Sequence, residues 1–360
     1  MDEPRKIVLI LGNGFDLDLG LNTSYRAFWE SKYCPKDYPA PLIHHLNECW
    51  QGSLDKVKWY DLENELFNYY LEIKKKGGSD IVTLSEKKFI DYFIKNDVSF
   101  SIPHEYINDA SSLLKKGLLL QGAPIMQYMI PYGEDLLKEA VWRDKKAMQL
   151  IKKGLCDYLK SIDLESIKDD ATSLEVLSAI VEAKQKGNIV SIYTFNYTPL
   201  PYGYENSLPG IVHHVHGSCD SGNIIVGTQD SESIADSFDF LEKSMDPKFN
   251  PPALVAGMLE ADDVIIFGHS IGENDRQYFK SFFTKQTNYE SAIQKNIIIF
   301  TRDDQSEMEI KRSLQKMTNH NLSTLCGQNH VSYFKTATIH NTDRDYRKFL
   351  SRYQDRVYIY

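Results

Sequence analysis

Apolar residues in this chain gather into short runs that end on glycine, asparagine or histidine. The first, Ile7 to Leu11, is continuous and rich in branched side chains, the pattern of a strand buried on both faces of a parallel sheet. Similar runs return late, at Asn188–Asn196, Ile211–Gly217, Asn223–Gly227, Asp263–His269 and Asn296–Thr301. Between them, Thr172–Lys186 carries Leu174, Leu177, Ile180 and Val181 at helical spacing, and a second helix is predicted over Asn274–Phe283. Alternation of this kind predicts an α/β doubly wound parallel sheet.

The middle of the chain has a different period. From Ser24 to about Asp170 almost no strand-like run occurs. Leu62, Leu66, Tyr69, Tyr70 and Ile73 recur at helical steps, as do Leu137, Ala140, Val141, Met148, Ile151, Leu155 and Leu159 within Gly133–Ile162. A large helical insertion after the first strand is therefore expected. Its span is residues 25–170, with residues 1–24 and 171–360 forming the sheet domain. Internal turns are expected near Lys75–Asp80, at Gly122/Pro124 and at Pro131/Gly133.

Composition narrows the functional classes. Over 360 residues, 42% hydrophobic and 12% aromatic side chains suffice for a core, which excludes disorder as the main state. A net charge of −9 disfavours a nucleic-acid partner, because phosphate binding needs clustered Lys and Arg. The run Lys74-Lys75-Lys76, beside Gly77-Gly78, reads as a solvated loop. Cys34, Cys49, Cys156, Cys219 and Cys326 contain no C-x-x-C, so neither a disulfide framework nor a four-Cys zinc module is expected. Ile7–Leu11 is too short for a secretory core, and no stretch approaches the ~20 apolar residues of a membrane span. A cytoplasmic protein without membrane contact is expected.

Ligands of an open α/β sheet bind beyond the carboxyl ends of its strands, and four of these ends are polar. Gly12-Asn13-Gly14-Phe15-Asp16 follows the first strand; it suits a tight turn beside a phosphate, and equally a βα turn with no ligand. Thr194-Phe195-Asn196-Tyr197-Thr198 puts an amide at a strand end, fit for ribose or water, or simply for capping a turn. In His213-His214-Val215-His216-Gly217-Ser218, strand alternation places His214 and His216 on one face and His213 on the other. That arrangement does not make a three-His metal site, and no metal is expected. His216, with an ordinary pKa near neutrality, is the candidate base. The fourth end, Gly268-His269-Ser270-Ile271-Gly272 with Asp275 after it, fits a G-x-S-x-G nucleophile elbow literally. Chain order opposes a Ser-His-Asp hydrolase, since no patterned acid and His follow Ser270.

The set Ile10–Tyr25, Trp59–Glu63, Thr194–Thr198, Val215–Ser218 and Phe267–Phe279 resembles the AbiH family of bacterial phage abortive-infection proteins. That family is similar in turn to the sirtuin-like NAD-binding fold. The resemblance implies a Rossmann-like (sirtuin-like) parallel sheet with NAD as substrate or ligand. Its Gly-rich first turn, T-x-N element and H-G-S element correspond to Gly12 and Gly14, to Asn196, and to His216 with Gly217 and Ser218. Asn196 and His216 would be catalytic. Asn13, Phe15, Asp16, Thr194, Gly268, His269, Ser270 and Asp275 would line the nucleotide beside those glycines and Ser218. Glu63 would either reach the pocket from the insertion or lie on a helix surface. Sirtuin deacetylases carry Asp two residues after the Asn, where this chain has Thr198, and a zinc module it lacks; protein deacylation is therefore disfavoured. The expected reaction is hydrolysis of NAD to nicotinamide and ADP-ribose. A non-catalytic NAD or ADP-ribose sensor and a metal-dependent hydrolase or nuclease are the alternatives. Implied partners are a small-molecule nucleotide, a phage-derived trigger, and a second copy of the chain or a companion defence protein.

Overall fold

A computed structural model describes residues 3–53, 61–77, 126–230, 236–290, 292–340 and 342–354. Six parallel strands form one sheet in the order β3-β2-β1-β4-β5-β6. They are β1 (Lys6–Leu11), β2 (Ile189–Thr194), β3 (Val212–His214), β4 (Asp263–Phe267), β5 (Asn296–Thr301) and β6 (His330–Lys335). This is the strand order of a dinucleotide-type doubly wound sheet, which reverses direction between β1 and β4. The α/β, Rossmann-like expectation is met.

Alternation in the strands explains why both faces are covered. Ile7, Leu9 and Leu11 of β1 join Ile265 and Phe267 of β4 on one face, under helix α6 (Thr172–Gln185) and α12 (Arg344–Leu350). Val8 and Ile10 join Val264 and Ile266 on the other, under α8 (Leu254–Glu260), α9 (Arg276–Lys285), α10 (Asp304–Met317) and α11 (Leu322–Gln328). Each such side chain contributes about 1.5–3 kcal/mol on burial. A one-residue slip would exchange the two sets.

Several expected elements differ. Asn223–Gly227 is not a strand; Ile224, Ile225 and Val226 are buried in irregular chain, and the Ile225 amide donates to the His216 carbonyl at 2.8 Å. After the short helix α7 (Tyr204–Ser207), the run Ile211–Gly217 supplies only the three residues of β3, because the chain turns away from the sheet edge after His214. The strand β6 lies at the opposite edge and shows only a weak apolar signal.

Between β1 and β2 the described residues form helices: α1 (Asn13–Asp18), α2 (Tyr25–Glu30), α3 (Pro41–Ser53), α4 (Leu62–Gly77), α5 (Met126–Lys160) and α6. Lys74–Lys76, expected in a loop, instead extend α4. The turn expected at Pro131/Gly133 is absent as well, since α5 runs through both residues and forgoes the backbone bond that proline cannot donate. Gly122/Pro124 and Trp59–Tyr60 lie outside the described residues. Phe28, Trp29, Leu42, Leu66, Ile151 and Leu155 share a core with Tyr197, Ile224 and Phe238. These inserted helices therefore pack on segments that follow β2 and β3, which brings α4 to the carboxyl end of the sheet.

Asp144 in α5 is buried in that helical core, accepting from the Tyr69 hydroxyl at 2.6 Å and the Leu42 amide at 2.9 Å. Burial, against these two bonds, pushes its carboxyl from 3.8 up to about 7. The folded protein thus holds a proton that the unfolded chain releases near pH 4, so this group's contribution falls as pH rises from about 4 to about 7. Asp144→Asn should remove the dependence. Wild type should lose roughly 2–4 kcal/mol relative to the variant across that window, and parallel denaturation curves from pH 4 to 7.5 would refute the assignment.

Candidate functional site

The turns after β1 and β4 touch through backbone. Added Cβ atoms on Gly12 and Gly14 would lie 2.6 Å from His269 Cα and Gly268 Cα. The Gly12 and Gly14 amides donate to the carbonyls of Phe267 (3.0 Å) and Gly268 (2.8 Å). In this structure the room made by these glycines is taken by the β4 turn, at the point where the strand order reverses. Phe15 is in the core with its ring against Phe267, and Asn13 Oδ1 accepts from the Thr23 hydroxyl.

One turn further, Asp16 ties together the ends of β1 and β2. Its Oδ1 accepts from Asn196 Nδ2 at 2.8 Å and its Oδ2 from Thr198 Oγ1 at 2.6 Å. The Asn196 amide N–H bonds Thr194 Oγ1 at 3.1 Å, and its carbonyl accepts from His214 Nδ1 at 3.0 Å. Burial, resisted by the Thr198 and Asn196 bonds, pushes Asp16 up to about 6. Thr198 is thus hydrogen-bonded to a carboxylate supplied by the first turn.

His216 does not share His214's surroundings. His214 pairs with Glu205, whereas His216 packs against Phe195 and Tyr278; His213 stacks on Tyr193. The alternation expected across His213–His216 fails because β3 has already ended. His216 is 4% exposed and its Nε2 has no hydrogen-bond partner among the described residues. Asp275 Oδ1 lies 3.5 Å from it without forming such a bond. Burial first, then the nearby Lys243 charge, lower its pKa to about 3 despite Asp275. His216 is therefore neutral at physiological pH and a weaker base than the near-neutral one expected from the sequence.

A buried ion cluster joins this histidine to the inserted helices. Lys243 is 0% exposed, with its ammonium 2.8 Å from Glu63 Oε2 and 3.2 Å from Asp275 Oδ1. Asp275 Oδ2 also lies 3.3 Å from His269 Nε2. The Ile271 amide donates to His269 Nδ1 at 2.9 Å, so the ring proton sits on Nε2 and faces Asp275. Burial raises Asp275, but Lys243 and then the His269 bond outweigh it and hold the carboxyl well below its ordinary range. Glu63 goes the other way: burial and the Asp275 charge push it up to about 7 although Lys243 is adjacent. One ammonium between two carboxylates leaves an excess negative charge, and Glu63 is where a proton relieves it.

Residues 8–297 match the family model described as bacteriophage abortive infection AbiH. The chain belongs to the AbiH family. Neither curated proteins nor solved structures give a match. The matched span contains every member of the AbiH chain's buried cluster, from Asp16 through Glu63, Asn196, His216 and Lys243 to Asp275.

Other predicted site residues stand apart from it. Ser218 donates its amide to Asn223 Oδ1 at 3.0 Å, and Gly217, at φ +75°, abuts the Asn223 carbonyl. These two order the following turn. Ser270 is exposed, and no hydrogen bond joins it to a histidine among the described residues. Among the described residues no serine triad is assembled around it. Lys243, Glu205 and the hydroxyls of Tyr25 and Tyr197 were not legible as site residues; the two hydroxyls lie 3.4 Å apart, and that of Tyr25 is 3.4 Å from Glu63. Among the described residues no helix is long and apolar enough to cross a membrane.

Proposed function

We propose that this AbiH protein hydrolyses the N-glycosidic bond of NAD, releasing nicotinamide and ADP-ribose, as an abortive-infection effector. The carrying observation is the buried His216 Nε2 without a hydrogen-bond partner, set beside Asp275 where the turns after β1, β2 and β4 converge. A polar atom left in that state costs about 1–3 kcal/mol, and this one lies 3.5 Å from the Asp275 carboxylate at the strand ends where ligands of such sheets bind. The resemblance of the T-x-N and H-G-S elements to sirtuin-like enzymes supports the same reading.

In the proposed reaction the nicotinamide–ribose bond breaks with its electron pair leaving on nicotinamide. A water oxygen then bonds to the oxocarbenium-like carbon and its proton passes to His216 Nε2. The low basicity of His216 suits water that becomes acidic as it adds to a cation. Asn196 donates its Nδ2 to Asp16, so its side-chain Oδ1 is the atom left to meet water or a ribose hydroxyl. The ionised Asp275 stabilises the developing positive charge.

Asp16, Asn196, His216 and His269 are each below a tenth exposed. Substrate entry therefore requires the groups covering this cluster to part, which accords with an effector that is silent until triggered. The same burial favours a second reading, a sensor that binds NAD or ADP-ribose without turnover. Incubating purified protein with NAD, alone and with phage-infected cell extract, decides between them. Nicotinamide released in equal amount to ADP-ribose supports hydrolysis. Saturable nucleotide binding by calorimetry with no nicotinamide release under either condition supports the sensor and overturns the hydrolase.

A further inference from the structure

We infer that His45, Cys49 and Glu65 form a site for a zinc-like divalent ion that ties α3 to α4. Their ligand atoms all lie within 4.8 Å of one another, and Cys49 Sγ is 3.4 Å from His45 Nε2. Zinc–sulfur, zinc–nitrogen and zinc–oxygen bonds of ordinary length place tetrahedral ligands about 3.3–3.6 Å apart, so the sulfur–nitrogen edge already has the right span. His45 and Cys49 are four residues apart on one face of α3, and Glu65 comes from α4, which packs against it. Binding brings in only the carboxylate, by about an ångström.

The surroundings suit an ion. Asn68 Nδ2 donates to Glu65 Oε2 at 3.2 Å, an outer partner that orients the carboxylate. His45 is 4% exposed, with its ring centroid 5.3 Å from that of Tyr69, whose hydroxyl is fixed on Asp144. A thiolate, an imidazole and one carboxylate form a borderline-soft set that selects zinc or cobalt over magnesium or calcium. The thiol proton passes to solvent on binding, so thiolate and carboxylate together balance the +2 charge. Water completes four-coordination.

This site is separate from the buried histidine and departs from the expectation of no metal. It also has a consequence for that cluster. Glu63 and Glu65 are two residues apart, about 200° around a helix, and so project from opposite sides of α4. An ion on Glu65 anchors the helix that delivers Glu63 to Lys243. The inference stands whether or not the chain cleaves NAD, because its test reads the metal itself.

Full-length protein, stripped with a chelator and kept reduced, is titrated with Co2+. A near-ultraviolet thiolate-to-cobalt band with visible tetrahedral bands should saturate at one equivalent and be displaced by Zn2+. Cys49→Ser should abolish the thiolate band, and Glu65→Gln should weaken cobalt binding at least about tenfold while retaining the thiol. Cys326 is exposed and provides the control, since Cys326→Ser should keep the full spectrum. Absence of the band, its survival in folded Cys49→Ser, or its loss in Cys326→Ser would overturn the site. Should Cys49→Ser not fold, unchanged affinity in Glu65→Gln would overturn it equally.

Discussion

Lys243→Met is expected to destabilise the protein by about 3–5 kcal/mol, the cost of removing one partner from a buried ion pair. The ammonium is fully buried and its two close acceptors come from distant parts of the chain, Glu63 in α4 and Asp275 before α9. Methionine fills similar volume, so little of the loss is cavity formation. What remains is two buried carboxyl groups without a cation, one of which must take up a proton for the chain to fold. Glu63→Gln should behave differently, because it removes the excess charge and leaves one ammonium with one carboxylate. Its cost should be within about 1 kcal/mol, since the side chain already favours its proton near neutrality. The double variant Lys243→Met/Glu63→Gln should then be more stable than Lys243→Met alone, with a coupling of at least about 1 kcal/mol. Urea denaturation at pH 7 measures all three. A Lys243→Met loss below about 1 kcal/mol, or additive effects in the double variant, would mean that the cluster does not hold α4 to the sheet.

The same cluster marks the boundary of what sequence pattern reveals. Strands β1, β4 and β5 were legible because they are central and parallel, which demands apolar residues on both faces. The edge strand β6 was not, because His330, Ser332 and Lys335 interrupt its apolar run while backbone pairing with β5 supplies the order. Asn196, His216 and Asp16 could be picked out because each is polar where a buried strand stops. Nothing comparable distinguishes Lys243. In Glu242-Lys243-Ser244 it reads as solvated charge, and its burial depends on carboxylates 180 residues earlier and 32 later. Glu63 had the same defect, being indistinguishable along α4 from the exposed face of an amphipathic helix. The glycines after β1 were legible as a close approach, but the partner that approaches is the β4 turn.

His216→Leu should reduce nicotinamide release by about 10²–10⁴-fold, the usual range for loss of a general base, without lowering stability by more than about 1 kcal/mol. The two halves of this expectation have separate causes. Removing an unpartnered buried nitrogen relieves a desolvation penalty of about 1–3 kcal/mol, which offsets imperfect packing against Phe195 and Tyr278. In the proposed hydrolysis, removing the atom that would receive the water proton leaves the oxocarbenium step without its acceptor. A residue kept for packing would show the opposite pattern, with stability lost and turnover spared. Asn196→Ala should lose turnover to a similar extent but also some stability, because Asp16 then gives up the bond it accepts at 2.8 Å. The pH profile supplies an independent reading. With its pKa lowered to about 3 by burial and Lys243, His216 stays neutral from pH 8 down to about 4.5. The rate constant kcat/KM, which reports the free enzyme, should therefore show no inflection near 6.5 from this group. An inflection at 6.5 that disappears in a residually active His216 variant would place the imidazole in an environment other than the buried one between Phe195 and Tyr278. Full nicotinamide release by folded His216→Leu would remove it from the reaction altogether.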